Sequence, residues 1–319
     1  KSFILFFLSI FSFINSGKTN TTNRDSLLLE EYAELYINLY DTENYDSCVQ
    51  MAKVVDSLSL RVNELEHNVH SYLIRIYCYQ ELGNWPKWWK MLGIGSNRLQ
   101  KLADGNPYKD YYQTQFSYET GLYLLKKWNL EAALYYYEQV LKVQKEKENV
   151  HPIILKKTYN DLGVIFFRLR DYDRSISYYI QALKQETRKN ELARIYQNIA
   201  RAYIKNEDFN EAKENYDKAL RLLKEANETS TRTKKTRVVI YRNLAEYFYS
   251  LPEPKLDSAT YYIQKAMQNV VATDTIGQIT DWQRQGNYLL INKEFNAANE
   301  AFGKALELSK SHFGKKHFL

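Results

Sequence analysis

Few side chains in this sequence have the type and spacing to do chemistry. His67 and His70 stand three residues apart, a spacing at which two imidazoles on one helix face can share a metal ion. No third ligand accompanies them, and a zinc site needs three or four. On a polar helix they read as part of a solvated face. Gly93-Ile94-Gly95-Ser96 lacks the third glycine, the preceding strand and the following helix of a phosphate-cradling loop. There is no metalloprotease helix motif and no nucleophile elbow, so no catalytic residue, no cofactor and no metal is expected. Trp85, Trp88, Trp89 and Trp128 have the rings to stack on a ligand, although Trp85 and Trp88 also suit packing between helices.

The remaining set is polar: Asn160, Arg168, Arg194, Gln197, Asn198, Arg201, Lys205, Arg242 and Asn243, with Lys157 beside them and only Glu246 opposed. Amides can bond the backbone of an extended peptide, whose polar groups need partners once buried. Arginines make charge-assisted hydrogen bonds to carboxylates. Such residues are equally the ordinary furniture of solvated helix surfaces. Peptide capture requires that they share one surface, so the elements that carry them decide the matter.

Those elements repeat. The turns Asn44-Tyr45, Asn84-Trp85, Asn129-Leu130, Asp171-Tyr172, Asp208-Phe209, Lys255-Leu256 and Glu294-Phe295 follow one another at lags near forty residues. Twelve residues before each polar turn residue, or fourteen in the sixth copy, stand Tyr32, Tyr72, Ser117, Tyr159, Tyr196, Tyr241 and Trp282. Four further on come Tyr36, Ile76, Gly121, Gly163, Ala200, Ala245 and Gly286, small in five copies. Four past each turn come Cys48, Trp88, Ala133, Ser175, Ala212, Ala259 and Ala298. Residues spaced three and four apart share a helix face. The pattern is therefore a helix, a tight turn and a second helix, with small residues where two helices cross closely. Cys48 fills one of these small positions, and small buried residue is the ordinary role of such a cysteine. Whether it pairs with Cys78 is not deducible from sequence.

In the fourth copy Tyr159-Asn160-Asp161-Leu162-Gly163 opens the first helix, and Ser175, Tyr179 and Ala182 face inward from the second. This resembles the tetratricopeptide repeat, most closely in copies four, five and seven, and extends over residues 27–311. The resemblance implies an all-α fold, a right-handed α-solenoid of about seven helical hairpins. It also implies a concave groove lined by the first helix of each pair. The groove positions read Tyr118, Leu122 and Leu125; Asn160, Val164 and Phe167; Gln197, Arg201 and Ile204; Arg242, Glu246 and Tyr249; Gln283, Asn287 and Leu290. Similar asparagines and basic residues hold peptides in kinesin light chains and in carboxylate-clamping chaperone adaptors.

His151-Pro152, and the run from Phe313-Gly314 through Lys315-Lys316-His317, look like the Gly-x-x-His-Pro linker of longer repeats. Such repeats occur in kinesin light chains and in bacterial proteins with a C-terminal caspase-like CHAT domain. Residues 312–319 are accordingly expected to lead into a further C-terminal region. At the other end, residues 3–14 (FILFFLSIFSFI) are uncharged and apolar but too short to span a bilayer, which takes about 20 residues. With Lys1 before them and Asn15-Ser16-Gly17 after, residues 1–17 read as a secretory signal and 18–26 as a flexible leader.

Composition fits this architecture. Only 11 Gly and 5 Pro in 319 residues leave little for strands and turns, and the net charge of +6 does not by itself imply nucleic acid. The basic stretch 229–237 (TSTRTKKTR) reads as a solvated linker between copies five and six. The expected function is a non-catalytic scaffold, exported to the periplasm or cell exterior, that binds an extended peptide or protein, with acidic or C-terminal carboxylate groups as the natural match. The alternative is the sensory region of a larger exported CHAT protease-like or signalling protein.

Overall fold

In the computed structural model each of the seven polar turn residues stands immediately before a helix. The described residues are 24–147, 150–226, 231–270 and 274–314. The expected secretory segment 1–17 lies outside them, as do most of 18–26 and residues 315–319 of the expected linker. Among the described residues the chain is all-helical, an α-solenoid of fourteen helices in seven hairpins.

The chain divides at Leu155/Lys156 into two units. The first holds α1 (Arg24–Asp41), α2 (Tyr45–Arg61), α3 (Leu65–Glu81), α4 (Trp85–Leu99), α5 (Lys109–Lys126) and α6 (Leu130–Lys147). The boundary falls within α7 (Pro152–Arg168), most of which belongs to the second unit together with α8 (Tyr172–Lys184), α9 (Lys189–Lys205), α10 (Phe209–Glu225), α11 (Thr231–Ser250), α12 (Leu256–Asn269), α13 (Thr275–Ile291) and α14 (Phe295–Phe313).

The hairpin turns share one geometry. The residue before the polar one takes a positive φ of 61–66° at Glu43, Gly83, Trp128, Arg170, Glu207 and Lys293. The polar residue then returns its N–H to a carbonyl five back, as from Asn84 to Tyr79 at 2.8 Å and from Asp171 to Phe166 at 2.9 Å. This is the helix-ending motif that satisfies carbonyls left over at a C-terminus. Asn84, Asn129 and Asp171 also cap the next helix, accepting from the N–H of Lys87, Ala132 and Arg174. The sixth turn differs because Pro252 and Pro254 occupy it, and proline cannot take a positive φ. Its two extra residues carry the chain around instead, and Lys255 bonds to Phe248 at 2.9 Å.

The small-against-large register holds. A Cβ on Gly121, Gly163 or Gly286 would lie 2.9, 2.5 and 2.6 Å from the rings of Tyr137, Tyr179 and Phe302 respectively. Ser175 donates to the Gly163 carbonyl at 2.8 Å, and Cys48, at the equivalent position, donates to the Tyr36 carbonyl at 3.1 Å. Cys48 and Cys78 are both buried free thiols.

Two sequence expectations are corrected. His67 and His70 are 5% and 2% exposed, not solvated. The Tyr36 hydroxyl bonds His70 Nδ1, and the rings of Tyr36 and Tyr112 flank the His70 ring at 5.6 and 6.4 Å. Burial, with His67 nearby, lowers the His70 pKa to about 3. The basic linker is instead the start of α11 from Thr231 onward, since Thr233, Thr236, Val238 and Ile240 are buried and give it an inward face; residues 229 and 230 lie outside the described residues. Gly95 is no loop glycine: inside α4 it lets the Phe116 ring and Tyr72 approach the backbone.

Candidate protein-interaction face

Within the second unit the first helices of successive hairpins touch one another through the predicted polar set. On α9, Arg194, Asn198, Arg201 and Lys205 recur at spacings of four, three and four, the period of one helix face. Asn198 donates to Asn160 of α7 at 3.5 Å, Gln197 donates to Asn198 at 3.3 Å, and Asn160 donates to Asp161 at 3.1 Å. The Arg201 guanidinium lies over the Phe167 ring of α7 at 4.8 Å. Lys205 reaches Glu246 of α11 at 3.7 Å, and Arg284 of α13 approaches the same carboxylate at 3.8 Å. Tyr249 packs on Tyr288 with ring centres 5.2 Å apart and remains 41% exposed.

The nine predicted residues are not equivalent. Arg194 is tied to Glu191 on its own helix at 2.7 Å. Gln197 is buried, whereas Asn160, Asn198, Asn243 and Arg168 are half-buried. Arg201 and Lys205 are exposed. Arg201 makes no ion pair among the described residues, so its charge is available to a ligand.

Arg242 is committed elsewhere. It donates to both oxygens of Asp281 at 2.7 Å and to Asp274 at 2.9 Å, joining α11 to α13 and its N-cap. The Asp281 side chain is fully buried. Burial pushes its carboxyl above the usual range against the opposing pull of Arg242. For Arg242 itself burial works against the charge, and the hydrogen bonds and charges of Asp281 and Asp274 more than offset it. Gly277 is part of this clamp, because a Cβ there would collide with Arg242 and Asp274. The signal was present in sequence: Asp281 lies 39 residues after Arg242, close to one repeat.

A second lock precedes the face. Glu186, between α8 and α9, accepts from Lys156 of α7 at 2.7 Å and from Arg188, and receives the N–H groups of Thr187 and Arg188. Burial alone would raise its pKa, but these donors hold it at about 2. In the first unit the groove positions do not form a polar face: Tyr118 and Leu125 are 4% and 5% exposed, with Tyr118 packed on Tyr137.

Residues 155–225, which are α7 through α10, match the family model of the tetratricopeptide repeat. These two hairpins fit the tetratricopeptide-repeat pattern. The repeat assignment agrees with solved structures that share the fold at low identity. The apo form of the quorum sensor NprR from B. thuringiensis aligns with TM-score 0.67 and 14% identity over 88% of this chain and 75% of that one. NprR in complex with its cognate peptide NprX aligns at 0.62 and 14%, over 89% and 79%. The apo form of RapI aligns at 0.64 and 11%, over 88% and 97%. A signal transduction ATPase with a tetratricopeptide repeat sensor from Pyrococcus horikoshii aligns at 0.65 and 17%, over 88% of this chain but only 42% of that protein. No curated protein sequence matches the chain.

Proposed function

We infer that the second unit is a peptide-binding scaffold, on which an extended segment of a protein partner crosses α7, α9 and α11 and places a carboxylate on Arg201. The observation that carries this reading is Arg201 itself. Its guanidinium is exposed, is oriented by the Phe167 ring and makes no ion pair among the described residues. Beside it the Asn160 and Asn198 amides offer donors and acceptors of the kind a peptide backbone requires. Lys205 adds a second cation, which an anionic ligand has to share with Glu246. Arg168 and Asn243 border the face, and Gln197 and Arg242 shape it from beneath. The NprR complex is a precedent for peptide binding on this fold. No step of catalysis is assigned to these residues. Replacing Arg201 by Ala should weaken partner binding by about 1.5–3 kcal/mol, the worth of a charged hydrogen bond. Unchanged affinity would overturn the assignment.

A second reading makes these hairpins the sensory region of a longer exported protein. It draws on the Pyrococcus ATPase, where a tetratricopeptide repeat sensor is one part of a longer chain. Reading the gene past Leu319 tests it, and a stop codon directly after that residue would sink it.

A further inference from the structure

The turn edge of hairpins two and three, in the first unit, carries aromatic and basic residues that the peptide-binding reading does not use. Trp128 occupies the positive-φ position of its turn at 62°, where the other turns have Glu43, Gly83, Arg170, Glu207 and Lys293. Those are polar or lack a side chain, whereas Trp128 is a large indole left 69% exposed. A bulky residue there is uncommon and strained. One turn away, Trp89 is 46% exposed and Leu82 41%. Trp89 stacks on Tyr123 with centres 4.7 Å apart, and Trp85 stacks on Trp88 at 5.4 Å. The Lys127 ammonium lies 4.8 Å over Trp85, and that of Lys126 is 5.9 Å from it. Tyr123 and Lys127 of the third hairpin thus pack directly on the tryptophans of the second.

Cations lead on this edge. Around the two turns Lys87, Lys90, Lys126 and Lys127 stand against Glu81 and Glu131. We propose that this edge rests on an anionic lipid bilayer, with Trp89 and Trp128 entering the headgroup region and Lys87, Lys90, Lys126 and Lys127 meeting lipid phosphates. Indoles settle at membrane interfaces because the ring is apolar and its N–H is wet. Lysines near an anionic surface each add attraction that salt screens. The occupant is a bilayer rather than single-stranded nucleic acid for a geometric reason. Base stacking needs a row of open ring faces, and here Trp85 is held between Trp88 and Lys127 while Trp89 has one face on Tyr123. Entry into an interface needs only projecting apolar edges.

The test is co-sedimentation of the full chain with phosphatidylglycerol-rich vesicles and with pure phosphatidylcholine vesicles, beside a titration with a thymidine oligonucleotide. Trp128→Asn is the main variant, since Asn tolerates the left-handed position and the fold should survive, as circular dichroism will register. Expected is salt-sensitive binding to the anionic vesicles, a blue shift of tryptophan emission, and loss of affinity in Trp128→Asn. The pair Lys90→Gln with Lys126→Gln should lose about fivefold per lysine. Binding equal in wild type and all variants would put attachment elsewhere, residues 3–14 included, and overturn the proposal. No binding to anionic vesicles, or tighter binding to the oligonucleotide lost in the same variants, would do so too.

Discussion

Arg242 on α11 grips both carboxylate oxygens of the fully buried Asp281 on α13 at 2.7 Å, across 39 residues of sequence. The pair is a structural clamp between the sixth and seventh hairpins. Removing one partner strands a buried charge, at a cost of about 3–5 kcal/mol, whereas replacing both with apolar residues of similar size is often close to neutral. Arg242→Ala should therefore lower the denaturation midpoint sharply, and Arg242→Met with Asp281→Leu should recover most of the loss. A single mutant as stable as wild type in urea would show that the clamp carries no weight.

Close helix crossings make the next prediction. Gly163→Leu drives a side chain into the Tyr179 ring, whose edge is already 2.5 Å from where a Cβ would sit. Ala212, fully buried at the corresponding crossing of the fifth hairpin, has no more room for Leu. Each substitution should cost about 1–3 kcal/mol through overpacking. Urea midpoints matching wild type would disprove the register.

Much of this was legible in the chain, because local chemistry writes it there. The polar turn residue, the aromatic twelve before it and the small residue eight before it each answer to a contact within one hairpin. The errors came from contacts between hairpins. His70 is buried by Tyr36 and Tyr112, which come from the neighbouring hairpins. Arg242 looked like a groove arginine because its partner lies nearly one repeat later. The start of α11 looked like a linker because Thr233 and Thr236 turn inward while Lys234 and Lys235 face water; a threonine's buried methyl gives no apolar signal in composition.

Acid should destabilise the protein through two groups whose pH windows overlap. His70 is held neutral, with its pKa lowered from 6.5 to about 3. Between those values the unfolded chain binds more protons, so stability falls as pH drops below 6.5. Glu186 is held ionised, lowered from 4.5 to about 2. Its contribution is full above pH 4.5 and is lost as pH falls toward 2. Chemical denaturation across this range should show Glu186→Gln less stable than wild type at pH 7, with the gap closing below pH 4.5. A His70→Gln variant should lose the slope that begins at pH 6.5. Identical pH profiles in wild type and both variants would contradict these assignments.

The central claim is that the α9 face around Arg201 takes an extended peptide carrying a carboxylate. Random-peptide display against the wild-type chain, followed by calorimetric titration of the selected peptide, tests it most directly. The expected peptide is acidic or depends on its free C-terminus. Its affinity should fall by about 1.5–3 kcal/mol in Arg201→Ala, fall further when Asn198→Ala is added, and hold in Lys234→Ala with Lys235→Ala. A selected peptide whose binding survives both groove substitutions but fails with the lysine pair would move the site to the start of α11 and contradict the account.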